Sequence, residues 1–222
     1  MLNVRSSNNK TLNKNRIISS EKDTYKTLTK PSKEALLKDR GSKFFGYAFP
    51  VKNETQIEEH IAELKNKHHK ASHWCYAWQL GKQYDAYRAN DDGEPSNSAG
   101  MPIYGQLQSF DVTNTLVVVV RYFGGTKLGV GGLIQAYKMG AQMALENSKI
   151  VKRTIDETFL LKFEYPEMNT VMRIVKDEDL TIVNQKMELT CEMELSVRQK
   201  EADRIFKLFQ NTYKISIKYL ED

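Results

Sequence analysis

The sequence predicts an α+β protein in two folded parts, and three observations carry that expectation. Hydrophobic period two alternates with helical period from Ser42 onward in the first part, residues 22–153. The last third, residues 154–222, runs strand–helix–strand–strand–helix–strand, the split βαβ order of ferredoxin-like domains. The 222 residues are 40% hydrophobic and 27% charged, the make-up of an ordinary globular protein with chain enough for one large domain or two small ones. The boundary between the parts is expected near Thr154.

Residues 1–21 are rich in Asn, Ser, Lys and Arg, show no periodicity, and read as a disordered basic tail. Regular patterning begins at Ser42. Phe45, Tyr47, Phe49 and Val51 alternate on one face of a strand. Asn53 and Gln56 have the spacing of a capping box, and Ile57, Ile61 and Leu64 follow at helical spacing, so a helix is predicted over residues 54–68. "SHWCYAWQL" is a strand with Trp74, Tyr76, Trp78 and Leu80 on one face and His73, Cys75 and Ala77 on the other. Gly81–Lys82 turns the chain back through "QYDAYRA". "NDDGEPSNSAGMP" is dense in turn residues, with a short helix expected over 99–109. "NTLVVVVRY" has the unbroken β-branched run of a strand buried on both faces, and a helix follows the glycines to about residue 147. In the last part "ETFLLKFEY" is a strand, 167–177 a helix and "LTIVNQ" a strand. "MELTCEMELSV" sets Met187, Leu189, Cys191, Met193, Leu195 and Val197 against an acidic outer face. Residues 198–210 form a helix and "KISIKYL" a closing strand.

Charge and cysteine content narrow the function classes. The net charge of +5 belongs to residues 1–40, where ten Lys/Arg face four Asp/Glu; the remainder holds 23 basic and 24 acidic residues. A nucleic-acid role therefore needs a local patch. No apolar run approaches the roughly 20 residues of a membrane helix, and the start of the chain lacks the apolar stretch of a signal peptide. Two cysteines, Cys75 and Cys191, fall in different parts and are expected as reduced thiols. These features point to a cytoplasmic protein with no membrane partner.

Three groups of residues carry possible chemistry. Gly124, Gly125, Gly129, Gly131 and Gly132 allow backbone N–H groups to converge at a helix N-terminus, with Arg121 and Lys127 as flanking cations. That arrangement suits an anion or a nucleic-acid phosphate, or is a tight turn without a ligand; Gly131 is expected to need its missing side chain. It is neither a P-loop, since Val130 follows Gly129, nor a dinucleotide fingerprint, since Ile134 stands where the third glycine belongs. Asp91, Asp92 and Glu94 could hold Mg²⁺, although a turn with an aspartate capping the next helix is favoured. His73 and Cys75 share a strand face, but no third group is evident to orient a nucleophile pair, and packing or a structural hydrogen bond is favoured. No catalytic residue and no resident cofactor are assigned.

The strings "DDGEPSNSAGMPI", "LVVVVRYFGGTKLGVGGL" and "SHWCYAW" together resemble the signature of the IMPACT/YigZ family. "DTYKTLTKPSKEALLKDRGSKFFGYAFPV" resembles the start of its bacterial members. The likeness runs from about Asp23 to Leu145, with departures at Asn97–Ser98 and Met101, and residues 154–222 fit the small extra domain of the bacterial two-domain branch. The resemblance implies an N-terminal domain similar to the ribosomal-protein/elongation-factor domain IV superfold and a ferredoxin-like C-terminal domain. It also implies a link to translation, since eukaryotic members regulate initiation by binding a partner of a stress kinase. The leading expectation is a non-enzymatic binding protein that touches RNA or the ribosome through the glycine turn. The alternatives are a Mg²⁺-dependent enzyme acting on a phosphorylated small molecule and a pure protein–protein module. Nothing in the sequence sets an oligomeric state.

Overall fold

The computed structural model describes residues 23–220; the expected basic tail, residues 1–21, lies outside the described residues. The chain first forms β1 (Thr24–Leu28), β2 (Ala35–Asp39), β3 (Ser42–Pro50), α1 (Glu54–Lys67), β4 (His73–Leu80) and β5 (Ala86–Asn90). It continues with α2 (Gly100–Ser109), β6 (Thr115–Tyr122), α3 (Gly129–Glu146) and β7 (Ile150–Thr154). Five of these strands make an antiparallel sheet in the order β2-β3-β6-β4-β5.

The β-branched run takes the centre of that sheet because it is the segment able to bury both faces. Val117 and Val119 face α2 and α3, in a core with Phe44, Ala48, Cys75, Ile103 and Tyr137. Leu116, Val118 and Val120 face α1, with Tyr47, Trp78, Ile57 and Leu64. Helix α1 starts where its sequence signal lies: Asn53 Oδ1 accepts from the Gln56 N–H at 3.0 Å. Gln56 Oε1 accepts in turn from the Lys52 N–H at 2.8 Å, one residue earlier than in a standard capping box.

The remaining elements are β8 (Asp156–Glu164), α4 (Met168–Asp177), β9 (Thr181–Lys186), β10 (Thr190–Arg198), α5 (Gln199–Gln210) and β11 (Ile215–Leu220). Their antiparallel sheet has the order β11-β8-β10-β9, so the first and third strands are central. Cys191, Met193, Leu195 and Val197 point inward against Val171, Val175, Ala202, Ile205 and Phe209 of the two helices. The expected start of β10 at Met187 is early. The ladder begins at Thr190, and Leu189 stands 92% exposed in the preceding turn, because alternation alone does not say where backbone pairing starts.

Three strands went unread in the sequence. Strands β1 and β7 pair antiparallel, Thr24 opposite Thr154, in a separate two-stranded ribbon. They are five residues each, carry exposed Lys26, Lys152 and Arg153, and so lack a clean apolar face. Among the described residues strand β2 is an edge strand paired with β3, and its lysine-bearing alternation is equally weak. Ile155, buried between β7 and β8, accepts the Gln199 N–H at 2.8 Å, and Asp23 pairs with Arg198 at 2.6 Å. Cys75 and Cys191 are free, buried and in different cores. No described helix is long and apolar enough to cross a membrane.

Candidate functional site

The acidic loop between β5 and α2 and the glycine turn between β6 and α3 meet at one end of the five-stranded sheet, joined by Glu94 and Arg121. Strand register places Phe44, Arg121 and His73 side by side there, on β3, β6 and β4. Glu94 Oε1 accepts from Arg121 Nη1 at 2.5 Å and from the Tyr137 hydroxyl at 2.8 Å. Tyr137 comes from α3, so one carboxylate ties the loop, the central strand and the helix together.

Each of the other acidic residues holds backbone. Asp91 Oδ1 accepts from the N–H groups of Ala99 and Gly100 at 2.9 and 2.8 Å, and Oδ2 from Asn97 at 2.9 Å. It thereby caps α2, whose own N-cap residue, Ala99, has no side chain able to do so. Asp92 Oδ2 accepts from the Trp74 N–H at 2.7 Å and fastens the loop to β4. Asp91, Asp92 and Glu94 therefore do not converge, and among the described residues no group of three or more His, Cys, Asp or Glu is placed to hold a metal ion. The arrangement does not fit the Mg²⁺ site considered from the sequence.

Arg121 departs most from expectation. Rather than flanking the glycine turn as a free cation it is 5% exposed, opposite a Glu94 side chain that is 4% exposed. Its guanidinium lies 5.5 Å from the ring centres of both Phe44 and Phe123. The cause is its place near the end of the central strand, on the face that α3 covers. Its Nε has no hydrogen-bond partner among the described residues.

His73 and Cys75 both bind the acidic loop through carbonyl oxygens. Nδ1 of His73 lies 2.8 Å from the Asp92 carbonyl, which only accepts, so Nδ1 carries a proton, and Nε2 stands 3.9 Å from Glu94 Oε1. The Cys75 Sγ donates to the Asp91 carbonyl at 2.9 Å. Burial pushes that thiol well above its ordinary pKa, so it stays protonated and is no nucleophile. Burial likewise keeps Tyr137 a neutral donor.

The glycines divide by what each one does. A Cβ on Gly124 would sit 1.9 Å from the carbonyl carbon of Gly41, so the turn and the β2–β3 hairpin touch backbone to backbone. Gly125 and Gly129 adopt φ of +86° and +72°. Gly131 has neither constraint: among the described residues its Cβ would meet nothing within 4 Å, contrary to the expectation from the sequence. Helix α3 begins with no side-chain cap and no acidic residue in its first turn. Lys127 is exposed beside it. The second cation there is Arg40, whose Nη2 lies 3.3 Å from where a Gly132 Cβ would be. Arg40 was not picked out in the sequence. It lies far away in the chain, and its only local signal is the hairpin turn of "DRGS", where it takes a φ of +42°.

Residues 40–145, a span that includes Arg40 and both motifs, match the Impact N-terminal domain. The chain is 32% identical over 162 residues to IMPACT family member YvyE of Bacillus subtilis, covering 73% of this chain and 75% of that one. It is 38% identical over 96 residues to Protein IMPACT homolog of Saccharomyces cerevisiae, covering 41% and 36%. A crystal structure of a hypothetical protein superposes over 90% of this chain and 99% of its own with a TM-score of 0.64 at 23% identity, a likeness of fold alone.

Proposed function

The chain belongs to the IMPACT family, and from that premise we propose that it is a non-enzymatic, translation-associated protein that contacts RNA or the ribosome through its glycine turn. The observation that carries this reading is the open N-terminus of α3, uncapped, free of first-turn acids and flanked by Lys127 and Arg40. Unpaired N–H groups and the positive end of a helix suit a phosphate oxygen. Gly124, Gly125 and Gly129 shape the turn, and Gly131 and Gly132 keep the first helical turn bare. Arg121 serves this site indirectly, by neutralising Glu94 beneath it. The link to translation rests on the family resemblance and on the role of its eukaryotic members.

An enzyme acting with Mg²⁺ on a phosphorylated small molecule is disfavoured, because its candidate ligands are occupied by backbone N–H groups and by Arg121. The sheet order of the C-terminal part supports a ferredoxin-like domain, and we assign the N-terminal part to the ribosomal-protein/elongation-factor domain IV superfold. We place the domain boundary at 153/154 and the protein in the cytoplasm. Residues 22–153 expressed alone and insoluble in every condition would argue against separable domains.

The test of function is a salt titration of RNA binding by fluorescence anisotropy. Binding should weaken steeply with salt. Lys127→Ala with Arg40→Ala should lower affinity across all sequences and reduce the slope by about 0.7 for every phosphate of a single strand that is no longer neutralised. A double variant with the parent affinity and slope would remove the RNA reading. Salt-insensitive capture of a protein by the same face would replace it with the protein–protein module.

A further inference from the structure

A large aromatic side chain stands uncovered beside the glycine turn. Phe123 is 51% exposed, directly between the end of β6 and Gly124. Period-two spacing places Phe45, Tyr47, Phe49, Trp74, Tyr76 and Trp78 in sheet faces, but Phe123 lies beyond the last residue of its strand, where that pattern has ended. We propose that Phe123 is a stacking platform for an unpaired nucleobase, so that the site takes single-stranded RNA in preference to duplex. This rests on the RNA-binding reading above and names the form of RNA that it concerns.

Three features of the ring's surroundings argue for it. The backbone that carries the ring is anchored: the Phe123 N–H meets Ser72 Oγ at 3.4 Å, and its neighbour Gly124 is locked against Gly41 and Ser42. The ring is also backed by a cation. The Arg121 guanidinium lies 5.5 Å from its centre, with Phe44 at the same distance from that guanidinium, so an internal pile of Phe44, Arg121 and Phe123 ends at the surface in an exposed aromatic ring. Finally, the neighbouring charge is of the right sign. Lys127 follows four residues later, and Arg40 of the β2–β3 hairpin, which also pairs with Asp39 at 3.7 Å, turns its Nη2 towards the first turn of α3, so a backbone phosphate and its base find complementary partners side by side.

Single-stranded RNA is recognised in this way, by aromatic faces for bases beside cations for phosphates. A duplex keeps its bases stacked on one another and offers no free face to Phe123. A simpler role, sealing Arg121 from water, requires an apolar side chain but not a flat one. The two roles therefore separate on a leucine substitution.

The experiment uses the full chain, a labelled oligoadenylate of about 12 nucleotides and an RNA duplex of equal length. Phe123→Leu should lower single-strand affinity roughly 5- to 150-fold, the range of one base stack removed, and leave duplex affinity within about twofold. Phe123→Trp should retain single-strand binding, and its emission should be quenched by adenine beyond the change that Trp74 and Trp78 give in the parent protein. A leucine variant that binds oligoadenylate like the parent overturns the proposal, as does a tryptophan variant without added quenching; the second readout stands even where leucine unfolds the chain. If the Lys127/Arg40 variant loses RNA while Phe123→Leu changes nothing, the RNA-contact reading survives and the stacking role falls. If neither substitution has an effect, both fall.

Discussion

Glu94→Gln tests the junction on which the site is built. Glutamine keeps the size of the side chain and an acceptor for the Tyr137 hydroxyl, but removes the charge that faces Arg121. The pair is nearly sealed, with side-chain exposures of 6% and 4%, and the guanidinium lies between two aromatic rings. Water cannot readily replace the missing partner, and Arg121 Nε already lacks one among the described residues. Breaking one side of such a pair costs about 3–5 kcal/mol, most of it the penalty of a stranded charge. With a urea m-value of about 2 kcal/mol/M, the midpoint should fall by roughly 2 M. The assay is urea unfolding at neutral pH followed by the emission of Trp74 and Trp78, which sit in the same half of the chain. Adding Arg121→Met removes the stranded charge, and the double variant should regain much of the loss. The salt slope of RNA binding should be unchanged in any of these variants that remains folded. A loss below about 1 kcal/mol for Glu94→Gln, or a double variant no more stable than the single one, would refute the account of a buried, mutually dependent pair.

Other expectations test separate parts of the structure. Gly124→Ala should destabilise by about 2 kcal/mol or more, because its Cβ meets the backbone of Gly41 and Ser42, whereas Gly131→Ala should be neutral or stabilising by up to about 1 kcal/mol; equal melting temperatures for the two would contradict the turn geometry. Cys191→Asp should cost about 2–4 kcal/mol by burying a charge-prone group, and Glu192→Gln, on the outer face, should leave the melting temperature unchanged; similar effects at both positions would mean that the register of β10 is wrong. Stability should also depend on pH through His68, which touches Tyr47 at 2.6 Å and Tyr122 at 3.0 Å and is held below its ordinary pKa of 6.5 by burial and by the charge of Lys67. Because the folded value is depressed, the unfolded chain takes up the proton first. Stability is therefore present above pH 6.5 and falls as the pH drops towards the folded value. Glu34, held below its ordinary 4.5 by the Tyr47 hydrogen bond, adds a second loss only below that pH. His68→Gln should flatten the upper limb of a stability–pH curve and spare the lower one; an unchanged upper limb would remove His68 as its source.

The strands and helices with a strong apolar period were legible because burial imposes that period directly. The run from Leu116 to Val120 feeds two cores, as its unbroken β-branched character required. The alternation from Cys191 to Val197 points inward, and Asn53 begins α1. Strands β1, β2 and β7 escaped because their stability lies in backbone pairing with other segments, and short, lysine-bearing strands need not display an apolar face.

By itself the sequence determined the elements that must hide hydrocarbon and the two motif loops that belong to the IMPACT family. Local side-chain chemistry and periodicity are written residue by residue, and no partner from elsewhere in the chain is needed to read them. Only the tertiary structure decided which charges remain available. Arg121 and Lys127 look alike as flanking cations, yet strand register and the cover of α3 bury one against Glu94 and leave the other in solvent. Arg40, from a distant hairpin, arrives at the helix N-terminus because the backbones of Gly41 and Gly124 touch. The fate of a charge depends on what the fold places opposite it and on how much water remains there, and neither is encoded within the few residues around it.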